Sequence, residues 1–127
     1  MRQLLTRPII FFMIINGCGY SSVHAFYPNL SKFFQSRFGF SNVAAGSISS
    51  IPYLIASFSV PFLGSISGML GEAYFELMLF CSIGLILCVH VIYLTMADFA
   101  AAESENWLLP VLPLLVFGFG HALFTTI

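Results

Sequence analysis

Asn16, Tyr20, His24 and Tyr27 recur at intervals of four, four and three residues within otherwise apolar sequence. On a helix they form one polar stripe. Gly118, His121 and Thr125 repeat the pattern near the carboxyl end, three and four residues apart. Polar groups are costly to place in hydrocarbon, so inside apolar helices they are candidates for function. These residues supply neutral donors and acceptors suited to amide groups, and histidines whose charge changes near neutral pH. The alternative is hydrogen bonding between helices with no ligand, which the same residue types also provide.

The other reactive side chains point to less. His90 stands alone among Leu, Val and Ile and reads as a structural histidine. Asp98, Glu103 and Glu105 have no His or Cys beside them and read as a solvated loop rather than a metal site. Glu72 and Glu76 are four apart, close enough on a helix face to repel. Cys18, Cys81 and Cys88 lie in apolar runs without CxxC spacing and read as small residues in helix interfaces. No nucleophile–base pair, phosphate-binding glycine loop or metal-ligand spacing occurs, so no catalysis, cofactor or metal is expected.

Composition sets the class to which these side chains belong. Hydrophobic residues make up 59% of the 127 residues and charged ones 7%, against about 25% charged in ordinary soluble domains. Four basic and five acidic side chains cannot cover the surface of a soluble domain of this length. An integral, multi-pass membrane protein follows, all-α, with the lipid bilayer as its first partner. A net charge of −1 leaves no basic field for nucleic acid.

Four segments approach the ~20 residues that cross a hydrocarbon core about 30 Å thick: 8–27, 42–63, 77–96 and 107–127. They form a single membrane unit over 1–127. Arg2 and Arg7 precede the first apolar run as in a signal peptide, but the run has no A-x-A-like cleavage site and reads as a retained helix. Pro8 suits a first turn, Pro28 marks a break or kink, and Pro52 and Pro61 predict kinks in the second helix. Over 29–39, Leu30, Phe33, Phe34 and Phe38 alternate with Lys32, Gln35 and Arg37 at helical spacing. That stretch is either an amphipathic segment lying at the interface or the flared end of the first helix.

Residues 33–64 read as the organiser. The chain turns at Gly39 and restarts as a helix behind Ser41, a plausible N-cap. Gly46, Ser50, Ser57, Pro61 and Gly64 then fall near one face, where small residues let a second backbone come close. The expectation is that the other helices pack around this one. A short connection over 64–76 and an acidic loop over 97–107 join the later helices, with Trp107 at the interface. Arg2 and Arg7 balance Lys32 and Arg37 across the membrane, so the positive-inside count is tied. The last segment is still apolar at Ile127, so it is expected to continue in a longer protein or to be held by a neighbouring subunit.

The run FFQSRFGFSNVAAGSISSIPYLIASFSVPFLG over 33–64 resembles the seventh-to-eighth helix region of major facilitator superfamily transporters. It is most like the major facilitator superfamily domain-containing protein 1 group, lysosomal transporters of dipeptides. The likeness is carried by Phe33, Phe34, Arg37 to Ser41, Ser50 to Tyr53, and Pro61 to Gly64, and extends more weakly over nearly the whole chain. It implies helices seven to ten of a twelve-helix fold, a lysosomal or other organelle membrane, and alternating access around a midplane site. It also implies that the stripes on the first and fourth helices line the cavity and suit a dipeptide or similar small zwitterion. The superfamily's G-x-x-x-D-[RK]-x-G-[RK] loop is degenerate here. Gly64 and Gly71 remain, while Gly68, Met69 and Glu72 stand at the acid, first basic and last basic positions. The competing expectation is a non-transporting structural subunit of a larger membrane complex, derived from such a transporter, using the small-residue face to bind its neighbours.

Overall fold

Gly39 reverses the chain. In the computed structural model, which describes residues 7–70, 73–99 and 108–126, its φ of +69° lies in the left-handed region that favours glycine. Its N–H donates to the Gln35 carbonyl at 3.2 Å, closing helix α1 (Arg7–Phe38) with a left-handed cap. Helix α2 (Asn42–Leu70) starts at once, because the Ser41 hydroxyl accepts from the Ala44 N–H at 3.3 Å. Phe34, Phe38 and Phe40 close over the turn, with ring centroids 5.3 to 6.5 Å apart. Gly39→Ala is therefore expected to cost about 1–2 kcal/mol, read as an earlier unfolding transition of the chain in detergent micelles.

Helices α3 (Ala73–Phe99) and α4 (Leu108–Thr126) complete the set, and apart from 39–41 every described residue is helical. All four are long and apolar enough to cross a membrane. Phe11, Phe58, Phe62, Phe80 and Leu94 are among the large apolar side chains left exposed, as lipid-facing positions require. The chain is a multi-pass membrane protein.

The helices differ in extent from the sequence expectation. α1 continues through Pro28 to Phe38, so 29–38 is the end of the first helix, with Gly39 as the turn, rather than a separate segment on the surface. The reason is burial on one stripe: Val23, Tyr27, Leu30 and Phe34 are four, three and four apart and almost wholly covered. α2 likewise runs on through 64–70, which places Gly64, Gly68 and Met69 within a helix and not in a connection. Gly71 and Glu72 lie outside the described residues, as do Glu103, Glu105 and Trp107.

The organising helix is α4, not α2. It lies against both α2 and α3 and is covered around most of its circumference. Two glycines allow this. A Cβ on Gly118 would sit 2.9 Å from the Pro52 backbone of α2 and 2.9 Å from the Ile55 side chain. A Cβ on Gly120 would sit 3.0 Å from Leu85 of α3. Two residues along a helix are about 200° apart, so these glycines open opposite sides of α4 to two neighbours. The face of α2 that meets them carries Ala45, Ile48, Pro52, Ala56 and Leu63.

Among the described residues nothing covers the small-residue face of α2. Gly46, Ser50, Ser57, Pro61 and Gly64 are all exposed. A Cβ on Gly46 would meet nothing within 4 Å, and one on Gly64 only the Thr126 methyl at 3.9 Å. Their face lies roughly a third of a turn round from the buried one. Ser50 and Ser57 bond instead to the Ser47 and Tyr53 carbonyls of their own helix. Small size permits close approach but does not select which face is used.

Aromatic side chains bridge α1 to the rest. Phe26 reaches His90, Tyr93 and Phe117, with ring centroids 4.9 to 5.8 Å away, and Phe33 and Phe34 lie against Tyr93. Tyr93 in turn donates to the Pro110 carbonyl at 2.8 Å, tying α3 to the start of α4. Toward its amino end α1 meets α3 where Phe12 and Phe75 lie with ring centroids 5.9 Å apart. An apolar cavity of about 250 Å³ opens between them, lined by Ile15, Cys18, Gly19, Ser22, Ile83, Ile86 and Leu87.

Candidate functional site

The two polar stripes meet at one hydrogen bond. The Tyr27 hydroxyl lies 2.9 Å from His121 Nδ1, joining α1 to α4. Tyr27 is placed there because it belongs to the buried stripe of α1 as well as to the polar one. Phe117, one turn before His121, packs edge-on to its ring at 5.6 Å. On the other side Tyr53 of α2 stacks on Tyr27, with ring centroids 4.1 Å apart and planes 21° from parallel. One turn back along α1, His24 lies against Tyr20 at 4.0 Å. Tyr20, His24 and Tyr53 are exposed, and His121 is half-buried.

The result is a wall of phenols and imidazoles on three helices, backed by the aromatic core and open on its outer side. Its depth follows from helix geometry. Tyr27 is eleven residues before the end of α1, and Tyr53 eleven after the start of α2. At ~1.5 Å per residue both stand about 16 Å from the turn at Gly39, near half the thickness of a hydrocarbon core.

Asn16 is exposed just over two turns before His24 and makes no side-chain hydrogen bond among the described residues. Thr125 shares the face of His121 but turns its hydroxyl back to the carbonyls of His121 and Ala122 at 3.0 and 3.1 Å. Gly118 is a packing residue at the crossing with Pro52 and not part of the open wall. The structure thus brings Tyr20, His24, Tyr27 and His121 together and leaves Asn16 and Thr125 at the margins.

Tyr53 was missed as a site residue by sequence reasoning, although it stands in the quoted 33–64 run. Its signal was available: it is as many residues after the Gly39 turn region as Tyr27 is before it, which sets the two level on antiparallel neighbours. His90 lies in the core, its ring beside Phe26 and Phe117. Its Nδ1–H donates to the Ile86 carbonyl at 2.7 Å, a local satisfaction that takes it out of the site. Cys18, Cys81 and Cys88 are exposed free thiols. Among the described residues no group of three or more His, Cys, Asp or Glu comes together.

No protein-family model, curated protein or solved structure matches the chain.

Proposed function

We propose that this chain forms one wall of a secondary transporter of the major facilitator type, passing a dipeptide or similar small zwitterionic solute by alternating access. The supporting observation is the Tyr27–His121 bond with Tyr20, His24 and Tyr53 around it: half-open phenols and imidazoles at mid-depth, gathered from three helices. A polar cluster that served only to join helices would be closed on all sides. Here three of the five side chains are exposed, where a solute or further helices can reach them. The resemblance over 33–64 supports the same reading.

The test is uptake of labelled dialanine by proteoliposomes containing the protein. Uptake above protein-free vesicles is expected. Tyr27→Phe and His121→Leu are each expected to lower the initial rate about tenfold, the equivalent of one strong hydrogen bond, lost directly at His121 and through its orientation at Tyr27. Gly46→Ala, in open space on α2, should leave it unchanged. Equal rates in all four proteins would remove the site from transport.

A second reading has its own observation. The small-residue face of α2 (Gly46, Ser50, Ser57, Pro61, Gly64) is presented outward and has no partner helix among the described residues. Faces of this kind associate in lipid by close backbone approach. A structural subunit of a larger membrane complex would use it to hold a neighbour. Uptake by the purified chain alone contradicts this reading. Co-migration with a larger assembly in native membranes, lost on substituting Gly46 and Gly64 by Leu, supports it.

A further inference from the structure

Donor and acceptor counting places the proton on His121. A neutral imidazole has one N–H and one acceptor nitrogen, and a phenol has one proton to give. If Nδ1 carried the proton, it would donate to the Tyr27 oxygen, and the phenolic proton would then need an acceptor of its own. Tyr27 is buried, and His121 is its hydrogen-bond partner among the described residues. An orphaned donor in a helix interface is worse than an unused lone pair. Tyr27 therefore donates to Nδ1, and the proton of His121 sits on Nε2. That N–H has no partner among the described residues, and the side chain is half-buried beside the open wall.

What such a donor can take is set by its surroundings. His24, exposed on the same wall, lies against Tyr20 and one turn before Tyr27 along α1. The wall carries imidazoles and phenols and no carboxylate. Glu76 is in the first turn of α3, at the level where Phe75 meets Phe12 of α1. Twelve residues of α1 separate Phe12 from His24, about 18 Å of helix. An ammonium group would find no counter-charge on this wall, whereas an anion meets two imidazoles and an unpartnered N–H.

We propose that the wall recognises the carboxylate of its solute, with His121 donating from Nε2, Tyr27 fixing that tautomer, and His24 as the second imidazole. This rests on the solute-binding reading above and adds to it which end of a zwitterion faces α1 and α4. Tyr27 is a positioning residue: it touches the solute only through His121.

The experiment uses the full chain, labelled with ¹⁵N-histidine, in lipid nanodiscs. Long-range ¹⁵N–¹H correlation should show His121 protonated at Nε2, the signal being assigned by its loss in His121→Gln. In Tyr27→Phe the pattern should collapse toward a mixture of tautomers. Titration with dialanine should shift the His121 signal, and dialanine amide should bind about tenfold more weakly. Tyr27→Phe should narrow that ratio toward one. His121 protonated at Nδ1, or equal binding of dialanine and its amide, overturns the proposal. The comparison of dialanine with its amide is read on the unsubstituted chain, so that outcome does not depend on a variant folding. If vesicle uptake fails while the carboxylate preference stands, the site is supported and transport is lost. Uptake with no preference removes this proposal alone.

Discussion

Gly118→Ala is expected to destabilise the folded helices by roughly 1–2 kcal/mol, although alanine is the better helix former. The new methyl would lie 2.9 Å from the Pro52 Cα and carbonyl oxygen, so backbone rather than a flexible side chain must yield. Overpacking of this kind costs about 1–3 kcal/mol, and the gain in helix propensity returns at most about 1. Gly118→Leu, which cannot be relieved by a small shift, should separate α2 from α4. The control sets the sign. Gly17 and Gly84 have open space where a Cβ would go, so alanine there should be neutral or stabilising by up to about 1 kcal/mol. Reversible unfolding in mixed micelles measures all three. Equal stabilities for Gly118→Ala and Gly17→Ala would show that α2 and α4 do not cross at Pro52.

Phe117→Ala is expected to cost about 3 kcal/mol and to abolish most of the uptake as well. The ring is fully buried, with Phe26, Tyr27 and His90 around it at centroid distances of 4.9, 5.6 and 5.8 Å. In water the loss would be about 3–5 kcal/mol. In lipid the transfer term shrinks, because acyl chains are as apolar as the core, but the cavity and lost ring contacts remain. The functional effect follows from position: Phe117 supports the ring of Tyr27, and with the support gone Tyr27 can leave His121. Phe117→Leu keeps most of the volume and should retain most of the stability. If Phe117→Ala unfolds at the same denaturant concentration as the unsubstituted protein, the aromatic core is not what holds α1 against α4.

Much of the site could be read from spacing. Tyr20, His24 and Tyr27 are one turn apart, and periodicity alone places them on a single face. His121 falls with Gly118 and Thr125 for the same reason. Which of these would be useful could not be read there. Asn16 belongs to the same stripe as Tyr27, yet is exposed and makes no side-chain hydrogen bond among the described residues. Thr125 has the same residue type as many cavity-lining threonines, but a hydroxyl on a helix can always bond its own preceding turn. The pairing of Tyr27 with His121 joins residues 94 apart in sequence, a contact on which local patterns are silent.

By itself the sequence determined the membrane class, four helices, the Gly39 reversal and the Ser41 cap. Each of these depends on composition or on bonds made within a few residues. Tertiary structure decided that α4 and not α2 is the centre, that Gly118 and Gly120 are the residues of close approach, and that the glycine and serine face of α2 looks outward. The physical reason is the solvent. In lipid no hydrophobic drive tells one apolar face from another, so the interface goes to whichever surfaces interlock, and shape is a property of two helices together.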